Sequence, residues 1–276
     1  MTDLNDIRTL IIDMDGVLWE GNTALPGLQP FFELIRNQQL KFILATNNAS
    51  LTQQQYIEKL SRLGIAASTS EVLTSSMATA HYLSQISPSH KTRVFVIGEP
   101  GLKVPLQDQG FILVEGNPKD CGGVADYVIS GLDRELNWHK LAQASLHLNQ
   151  GAQFIATNAD TTLPTEQGPV LGNGAIIAAL TAATGIKPIV IGKPEAHMYQ
   201  FAMKILSAEP HSTVAIGDRL NTDILGAVNA GIRSILLLSG ISSRQDLVHL
   251  NYQPDWIFNG LPDLTEALAS LFKTNT

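Results

Sequence analysis

Short apolar runs recur along the chain, and each is closed by Gly, Asp, Asn or Thr. They are rich in Val, Ile and Leu and do not alternate with polar residues, which is typical of strands buried on both faces of a parallel sheet. The predicted strands are Thr9–Ile12, Lys41–Ala45, Val94–Ile97, Tyr127–Ile129, Phe154–Ala156, Ile189–Ile191, Val214–Ile216 and Ser234–Leu238.

Segments with helical periodicity lie between these runs. The predicted helices are Leu28–Gln38, Thr52–Leu63, Asn137–Asn149, Ala175–Thr184, Glu195–Ser207 and Asn221–Ala230. Thr52 and Gln55 have the spacing of a capping box at the start of the second helix, and Gly64 follows its last residue. Alternation of strands and helices along the whole chain predicts an α/β fold.

The composition limits the classes of function. With 44% hydrophobic and 16% charged residues, the chain is too apolar to be disordered. A formal net charge of −7 argues against a general basic surface for nucleic acid or anionic lipid. A small anionic substrate remains compatible with this charge, provided that its site is locally positive.

The sequence also bears on the compartment. A single cysteine, Cys121, forms no intrachain disulfide, which is consistent with a reducing environment. We see no basic and apolar export signal near the first residues, and no apolar stretch approaches the ~20 residues of a membrane span. We therefore expect a cytoplasmic protein.

Chemically unusual residues follow four of the predicted strands. They are Asp13-Met-Asp15, Thr46-Asn47-Asn48, Lys193-Pro194 and the segment from Asp218 to Asp223. Ligands of open α/β sheets bind beyond the carboxyl ends of the strands, so these residues are candidates for one shared site.

Carboxylates gathered at one sheet edge would repel one another unless a cation lay among them. Asp13, Asp15, Asp218 and Asp223 form an oxygen-only set without His or Cys, which favours a hard ion and above all Mg²⁺.

Asp13 and Asp15 are two residues apart, so in an extended chain their side chains point to the same side. One carboxylate could attack a phosphorus centre while the other gives a proton to the leaving oxygen and later takes one from water. Thr46 and Asn47 offer uncharged donors to phosphoryl oxygens, and Lys193 offers a compact positive charge.

Taken in order, the four motifs resemble those of the haloacid dehalogenase-like hydrolase superfamily. They read Asp13-Met-Asp-Gly-Val-Leu18, Thr46-Asn-Asn48, Lys193-Pro194 and Gly217-Asp-Arg-Leu-Asn-Thr-Asp-Ile224. The forms of the last three are similar to the NagD and 4-nitrophenylphosphatase branch. The resemblance covers the full length of the chain.

The resemblance implies a Mg²⁺-dependent phosphatase in which Asp13 forms an aspartyl-phosphate and Asp15 acts first as general acid and then as general base. It assigns the metal to the Asp13 side chain, the Asp15 carbonyl and the Asp218 side chain, with Asp223 nearby or bridging through water. Thr46 and Asn47 correspond to its phosphate-binding motif.

By the same resemblance, Lys193 bridges the nucleophile and the phosphate. The substrate it implies is a small phosphorylated metabolite, whose identity the sequence leaves open.

The spacing of the motifs predicts two domains. Only 33 positions separate Asp13 from Thr46, whereas 147 separate Thr46 from Lys193, far too many for one crossover. We therefore expect a doubly wound parallel-sheet, Rossmann-like core of residues 1–74 and 187–276, interrupted by an inserted α/β cap of residues 75–186. In the resembled branch such a cap closes over the site, and relatives often form homodimers through it.

Two further segments are candidates for contact with the substrate. The cap stretch from Phe154 to Pro164 looks like the substrate-facing part of the branch, and within it Asn158 and Asp160 are the candidate contacts. Trp19, directly after the first motif, is a candidate for the lining of the site entrance.

Two other classes of function compete with this interpretation. A dehalogenase or phosphonatase would keep the site and change the reaction, but a dehalogenase needs no acid such as Asp15, and no counterpart of a phosphonatase cap lysine is identifiable. A non-catalytic phosphate-binding or receiver-like module also groups carboxylates with a lysine. The pair of Asp13 and Asp15, the length and the inserted segment argue against it.

Overall fold

The structure, a computed structural model, describes residues 4–163 and 168–273. Pro164, the last residue of the predicted cap stretch, lies outside this range. Strands and helices alternate through the described chain, and the predicted α/β class with parallel sheets is confirmed. Among the described helices we find none with both the length and the apolar character that crossing a membrane requires.

The elements are named in chain order. The strands are β1 (Thr9–Ile12), β2 (Trp19–Glu20), β3 (Thr23–Ala24), β4 (Lys41–Thr46), β5 (Val72–Thr74), β6 (Arg93–Ile97), β7 (Ile112–Val114), β8 (Tyr127–Ser130), β9 (Gln153–Ala156), β10 (Thr162–Leu163), β11 (Val170–Leu171), β12 (Ile189–Val190), β13 (Thr213–Gly217), β14 (Arg233–Leu237) and β15 (Trp256–Phe258). The helices are α1 (Leu28–Asn37), α2 (Gln53–Arg62), α3 (Ser75–Ile86), α4 (Pro100–Asp108), α5 (Trp138–Asn149), α6 (Asn173–Thr184), α7 (Ala196–Leu206), α8 (Leu225–Ala230) and α9 (Leu261–Lys273).

The chain divides into two compact units. The first comprises the described residues of Met1–Thr46, Tyr56–Leu73 and Lys193–Thr276. The second comprises the described residues of Asn47–Gln55 and Thr74–Gly192. The Thr46-Asn47-Asn48 motif therefore divides between them, with Thr46 in the first unit and both asparagines in the second.

The first unit contains a six-stranded sheet in the order β15-β14-β13-β1-β4-β5. The β1 strand pairs in parallel with β4 on one side and with β13 on the other. The chain thus builds the sheet outward from β1 in one direction and later outward from β13 in the other, which makes the sheet doubly wound. All four residues of β1 are buried, as its unbroken apolar run predicts.

The second unit contains a five-stranded parallel sheet in the order β12-β9-β8-β6-β7. Phe95, Val128 and Phe154 from three of its strands form a core with Ala144 and Leu148 of α5. A short antiparallel pair, β10 and β11, also belongs to this unit.

Residues 187–192 do not lie where the sequence predicted. They were expected in the core, but the strand at Ile189 and Val190 pairs with β9 in the sheet of the second unit. The backbone N–H of Gly192 donates to the Thr157 carbonyl at 2.8 Å and continues this pairing up to the residue before Lys193. An apolar run predicts a strand but does not say which of two parallel sheets it joins.

Sequence periodicity missed several elements, among them α3. Three of its six buried residues are small and polar, namely Ser75, Ser76 and Thr79, so it has little apolar periodicity. Its start is marked by Thr74, whose hydroxyl accepts a hydrogen bond from the Met77 N–H at 3.3 Å. By contrast, the predicted capping box of α2 is confirmed, because the Gln55 side chain accepts from the Thr52 N–H at 2.9 Å.

His147 on α5 is fully buried in the second unit. Its Nδ1 accepts a hydrogen bond from the Ala125 N–H at 3.0 Å, and its Nε2 lies 3.1 Å from the Gly116 carbonyl oxygen. One acceptor and one donor are what a neutral imidazole provides. Burial, aided by the positive charge of Arg93 and opposed by the Gly116 contact, lowers the pKa of His147 below its ordinary value.

We expect acid to destabilise the second unit through His147. Its pKa is lower in the folded state, so the unfolded chain binds more protons as the pH falls below the ordinary histidine value of about 6.5. The contribution of His147 to the stability of the fold is therefore fully present above about pH 6.5 and declines as the pH falls below it. Thermal unfolding followed between about pH 7.5 and about pH 5.5 should show a smaller decline in Tm for His147→Gln than for wild type. The exposed His90→Gln variant of the same unit should match wild type, and an equal decline in all three proteins would contradict this assignment.

Candidate active site

The carboxyl ends of three adjacent core strands bring the predicted site residues of the first unit together. Asp13 directly follows β1, Thr46 is the last residue of β4, and Asp218 directly follows β13. The order of the sheet reverses between β1 and β13, and such a reversal opens a crevice at the strand ends. The site therefore lies where this fold class binds ligands.

Lys193 connects the carboxylates. Its Nζ donates to Asp13 Oδ1 at 2.5 Å, to Asp223 Oδ1 at 2.6 Å and to the Ala45 carbonyl at 3.1 Å. The Lys193 side chain is 3% exposed. A buried ammonium in such a position is paired by charge, and Asp13 and Asp223 together raise its pKa well above the ordinary value although burial acts to lower it.

Three carboxylates lie around the single ammonium group of Lys193. Ligand oxygens of Asp13, Asp218 and Asp223 lie within 4.8 Å of one another. Burial raises the pKa of Asp13 well above its ordinary value, against the opposing effect of Lys193. Burial and the charge of Asp223 likewise raise the pKa of Asp218 to about 6. Three carboxylates around one ammonium leave an excess of negative charge that a further cation would stabilise.

Asp218 is held at one oxygen and open at the other. Its Oδ2 accepts a hydrogen bond from the Ile241 N–H at 2.8 Å, whereas its Oδ1 is buried without a hydrogen-bond partner among the described residues. Glycines surround this carboxylate closely, since a Cβ at Gly16 would lie 2.4 Å from Oδ2 and one at Gly240 would lie 2.0 Å from it. The backbone thus packs against Asp218 and orients its unpaired oxygen.

Asp223 is engaged at both oxygens. Its Oδ1 accepts from Lys193, and its Oδ2 accepts from the Arg219 N–H at 3.1 Å. A Cβ at Gly217 would lie 2.2 Å from the Asp223 Cβ, so only glycine leaves room for this side chain. Asp223 is therefore fitted to hold Lys193 and to contribute negative charge to the group.

These residues fit a hard divalent cation. The donors are carboxylate oxygens, the ligand type that Mg²⁺ favours, and no described residue hydrogen-bonds to the buried Asp218 Oδ1. The Asp15 carboxylate is not part of the group of three. Its predicted role as a metal ligand through the backbone carbonyl stays a prediction.

Asp15 instead contacts Trp19. The indole Nε1–H donates to Asp15 Oδ1 at 2.8 Å, and the Asp15 residue itself is exposed. Trp19 lies on β2, which forms a hairpin with β3, and it has no exposed surface. The expected role of Trp19 in lining an open entrance is therefore wrong, because its ring is packed inside the first unit.

The remaining predicted residues meet within the second unit. Asn158 Nδ2 donates to the Asn47 carbonyl at 2.8 Å, and Asn47 Nδ2 lies 3.3 Å from Asp160 Oδ2. Asn158 is 5% exposed, and its own carbonyl accepts from Asn173 Nδ2 at 2.7 Å. Asn158 thus holds the backbone of the second motif, and substrate contact by Asn158 and Asp160 stays a prediction.

Sequence reasoning missed the segment from Ser239 to Ser242. The Ser239 hydroxyl donates to the Gly16 carbonyl at 2.9 Å, and the Ser242 N–H donates to the Asp218 carbonyl at 3.1 Å. In sequence this segment shows no evident chemical function, because it contributes serine hydroxyls, backbone groups and the absence of a side chain at Gly240. The one available signal was its position just beyond the end of β14 at Leu237.

Family models match two parts of the chain. One described as haloacid dehalogenase-like hydrolase matches residues 10–112, and one described as HAD-hydrolase-like matches residues 190–264. The two matches include Asp13, Thr46, Lys193, Asp218 and Asp223.

Named relatives match almost the whole chain. An acid sugar phosphatase of Staphylococcus aureus is 34% identical over 270 residues, which are 98% of this chain and 100% of that protein. The solved 4-nitrophenylphosphatase of Thermotoga maritima is 34% identical with a TM-score of 0.88, over 96% of this chain and 98% of the other. NagD of Escherichia coli is 34% identical with a TM-score of 0.84, over 92% and 97%. The chain therefore belongs to the haloacid dehalogenase-like hydrolases, in their NagD-like branch.

Proposed function

We propose that this haloacid dehalogenase-like phosphatase uses Mg²⁺ to hydrolyse small phosphomonoesters through an aspartyl-phosphate on Asp13. The observation that carries the proposal is the bridge from Lys193 to Asp13 and Asp223, beside the unpaired Oδ1 of Asp218. The names of the relatives, acid sugar phosphatase and 4-nitrophenylphosphatase, support the class of reaction.

The first step transfers the phosphoryl group to Asp13. Lys193 binds Oδ1 of this carboxylate, so we assign the attack on phosphorus to Oδ2. A bond forms between Oδ2 and phosphorus while the bond from phosphorus to the ester oxygen breaks. Asp15 donates a proton to the departing ester oxygen, so the leaving group departs as an alcohol. Asp15 is then a carboxylate.

The second step returns Asp13 to its initial state. The Asp15 carboxylate takes a proton from water, and the resulting hydroxide attacks phosphorus. The bond between phosphorus and Oδ2 then breaks, inorganic phosphate leaves, and both aspartates are ready for another cycle. Lys193 stays beside Asp13 in both steps, where its positive charge stabilises negative charge that develops on the phosphoryl oxygens.

The side chains of Asp13 and Asp218 and the Asp15 carbonyl would hold Mg²⁺. When bound, the ion supplies positive charge that stabilises the phosphoryl oxygens and offsets the excess of carboxylates. Asp223 is paired with Lys193 and with the Arg219 N–H, so we assign it an indirect part in the metal site.

We propose that the second unit serves as the cap and that it selects the leaving group of the ester. Asn47 and Thr46 would bind phosphoryl oxygens, and Asp160 would contact the body of the substrate. A cytoplasmic location and pairing of two chains through this unit also stay predictions. The names of the relatives favour a phosphatase over dehalogenase, phosphonatase and non-catalytic binding functions, and the following experiment distinguishes among these classes.

Replacing Asp13 tests the nucleophile. We expect Mg²⁺-dependent phosphate release from a panel of sugar, nucleoside and aryl monoesters by wild type, and a loss of at least about 10³-fold in kcat for Asp13→Asn, as when other covalent nucleophiles are removed. Acid-quenched wild type should carry one phosphoryl group by intact mass, and Asp13→Asn should carry none.

Asp263→Asn, an exposed carboxylate of α9, serves as the matched control and should behave as wild type. Metal-independent release, or a phosphoryl group retained on Asp13→Asn, would contradict the mechanism. Release of halide from a haloacid, or of phosphate from a phosphonate alone, would favour the corresponding alternative. Ligand binding without turnover of any of these compounds would favour a non-catalytic module.

Replacing Gly240 tests the metal site. A Cβ there would lie 2.0 Å from Asp218 Oδ2, so Gly240→Ala must displace this carboxylate. We expect the Kd for Mg²⁺, measured by calorimetry, to rise about 10- to 100-fold, as for losses of other groups that orient metal ligands. Gly260→Ala is the matched control, because its nearest neighbour is a Pro262 side-chain atom at 3.6 Å. An unchanged Kd in folded Gly240→Ala would refute the assignment of Asp218 as a ligand.

A further inference from the structure

A tight turn after β1 brings Trp19 back to Asp15. The Leu18 N–H donates to the Met14 carbonyl at 2.8 Å, and the Gly16 N–H donates to the Trp19 carbonyl at 2.8 Å. Gly16 has a φ of 82°, a left-handed value that favours glycine and lets the chain reverse here. The indole nitrogen of Trp19 consequently lies 2.8 Å from Asp15 Oδ1.

The indole N–H makes the directed contact to the Asp15 carboxyl group, whereas the Lys59 ammonium attracts this group only by charge. Asp15 is exposed, and among the described residues no other donor lies within hydrogen-bond distance of its carboxyl group. An exposed aspartate samples several rotamers, whereas proton transfer requires the acid to lie within hydrogen-bond reach of the leaving oxygen. One directed hydrogen bond from a fixed ring is enough to select one orientation.

We propose that Trp19 is a positioning residue for Asp15, the general acid of the proposed phosphatase reaction on which this inference rests. The indole N–H donates to Oδ1, which therefore acts as the acceptor oxygen of the protonated carboxyl group. The acid proton is then carried on Oδ2, and it is this oxygen that gives its proton to the leaving group.

Trp19 is itself held firmly enough for this role. Its ring is fully buried, and its backbone pairs with Ala24 in the hairpin of β2 and β3. Lys59 Nζ, on α2, lies 4.2 Å from the centroid of the ring. A cation over the face of an indole is attracted to the ring and withdraws electron density from it, which strengthens the N–H as a donor.

The acidity of the leaving group distinguishes positioning of an acid from ordinary packing. Phenyl phosphate and 4-nitrophenyl phosphate have nearly the same shape, but phenolate is the more basic leaving group and depends more on protonation. The ratio of their kcat/KM values reports the step in which the ester bond breaks. A defect in general-acid catalysis changes this ratio, whereas a general loss of folded or metal-bound enzyme lowers both values equally.

The test compares this ratio across four proteins at saturating Mg²⁺. We expect Trp19→Phe to lower kcat/KM for phenyl phosphate at least about threefold more than for 4-nitrophenyl phosphate, a part of the 10²- to 10⁴-fold that a positioned acid contributes. Asp15→Asn should change the ratio in the same direction and further. Trp256→Phe is the matched control. Trp256 is also a tryptophan of the first unit, and the Arg233 guanidinium lies 5.6 Å from its ring centroid. The ratio for Trp256→Phe should equal that of wild type.

Because Trp19 is buried, the folding of each variant is checked by circular dichroism. A second replacement, by the benzothiophene analogue of tryptophan, keeps the ring size and removes the N–H. This analogue should reproduce the changed ratio even if Trp19→Phe does not fold. An unchanged ratio in the analogue, with a changed ratio in Asp15→Asn, would overturn the role of Trp19 and leave the phosphatase proposal intact. An unchanged ratio in Asp15→Asn would overturn both the acid role of Asp15 and this inference. Absence of Mg²⁺-dependent turnover by wild type would overturn the proposed function itself.

Discussion

The buried ammonium of Lys193 is the interaction on which the rest of the site depends. It lies between Asp13 and Asp223, and neither a lone buried lysine nor two lone buried carboxylates would be stable at this depth. The pairing leaves Asp218 Oδ1 without a hydrogen-bond partner among the described residues, and the excess of carboxylates at the strand ends favours a further cation. An acidic protein with a net charge of −7 can in this way present a locally favourable environment to a phosphate ester.

Backbone geometry brings these charges together. The parallel register of β1, β4 and β13 places residues that are far apart in sequence at one sheet edge, and the reversal of strand order opens space beside them. Glycine at positions 16, 217 and 240 then lets the main chain approach Asp218 and Asp223 more closely than any Cβ would allow. The same turn at Gly16 returns the chain to Asp15, so the orientation of Asp218, the proposed metal ligand, and that of Asp15, the proposed acid, depend on one glycine.

Sequence patterns predicted correctly those strands that depend on the local order of apolar and polar residues. Buried apolar runs predicted the strands around Asp13, Thr46 and Asp218, because a strand covered on both faces has no room for polar alternation. They failed where packing uses small polar residues, as in α3, and where two sheets compete for one strand, as at Ile189 and Val190. Trp19 shows the same limit, since a large ring after a candidate catalytic motif is compatible with a site entrance or with a hydrophobic core, and only its packing decides between them.

By itself, the sequence determined the chemical types and their order: two aspartates, a threonine with two asparagines, a lysine and a further acidic pair, each at a strand end and together typical of haloacid dehalogenase-like hydrolases. Only the tertiary structure decided which atoms pair. It assigned Asp13 Oδ1 and Asp223 Oδ1 to Lys193 and joined Asp15 to Trp19. It left Asp218 Oδ1 without a hydrogen-bond partner in the part of the chain that the structure describes. The physical reason is that residue type sets which bonds a group can make. Hydrogen bonds act over about 3 Å, and distances of that size are set by the packing of segments remote in sequence.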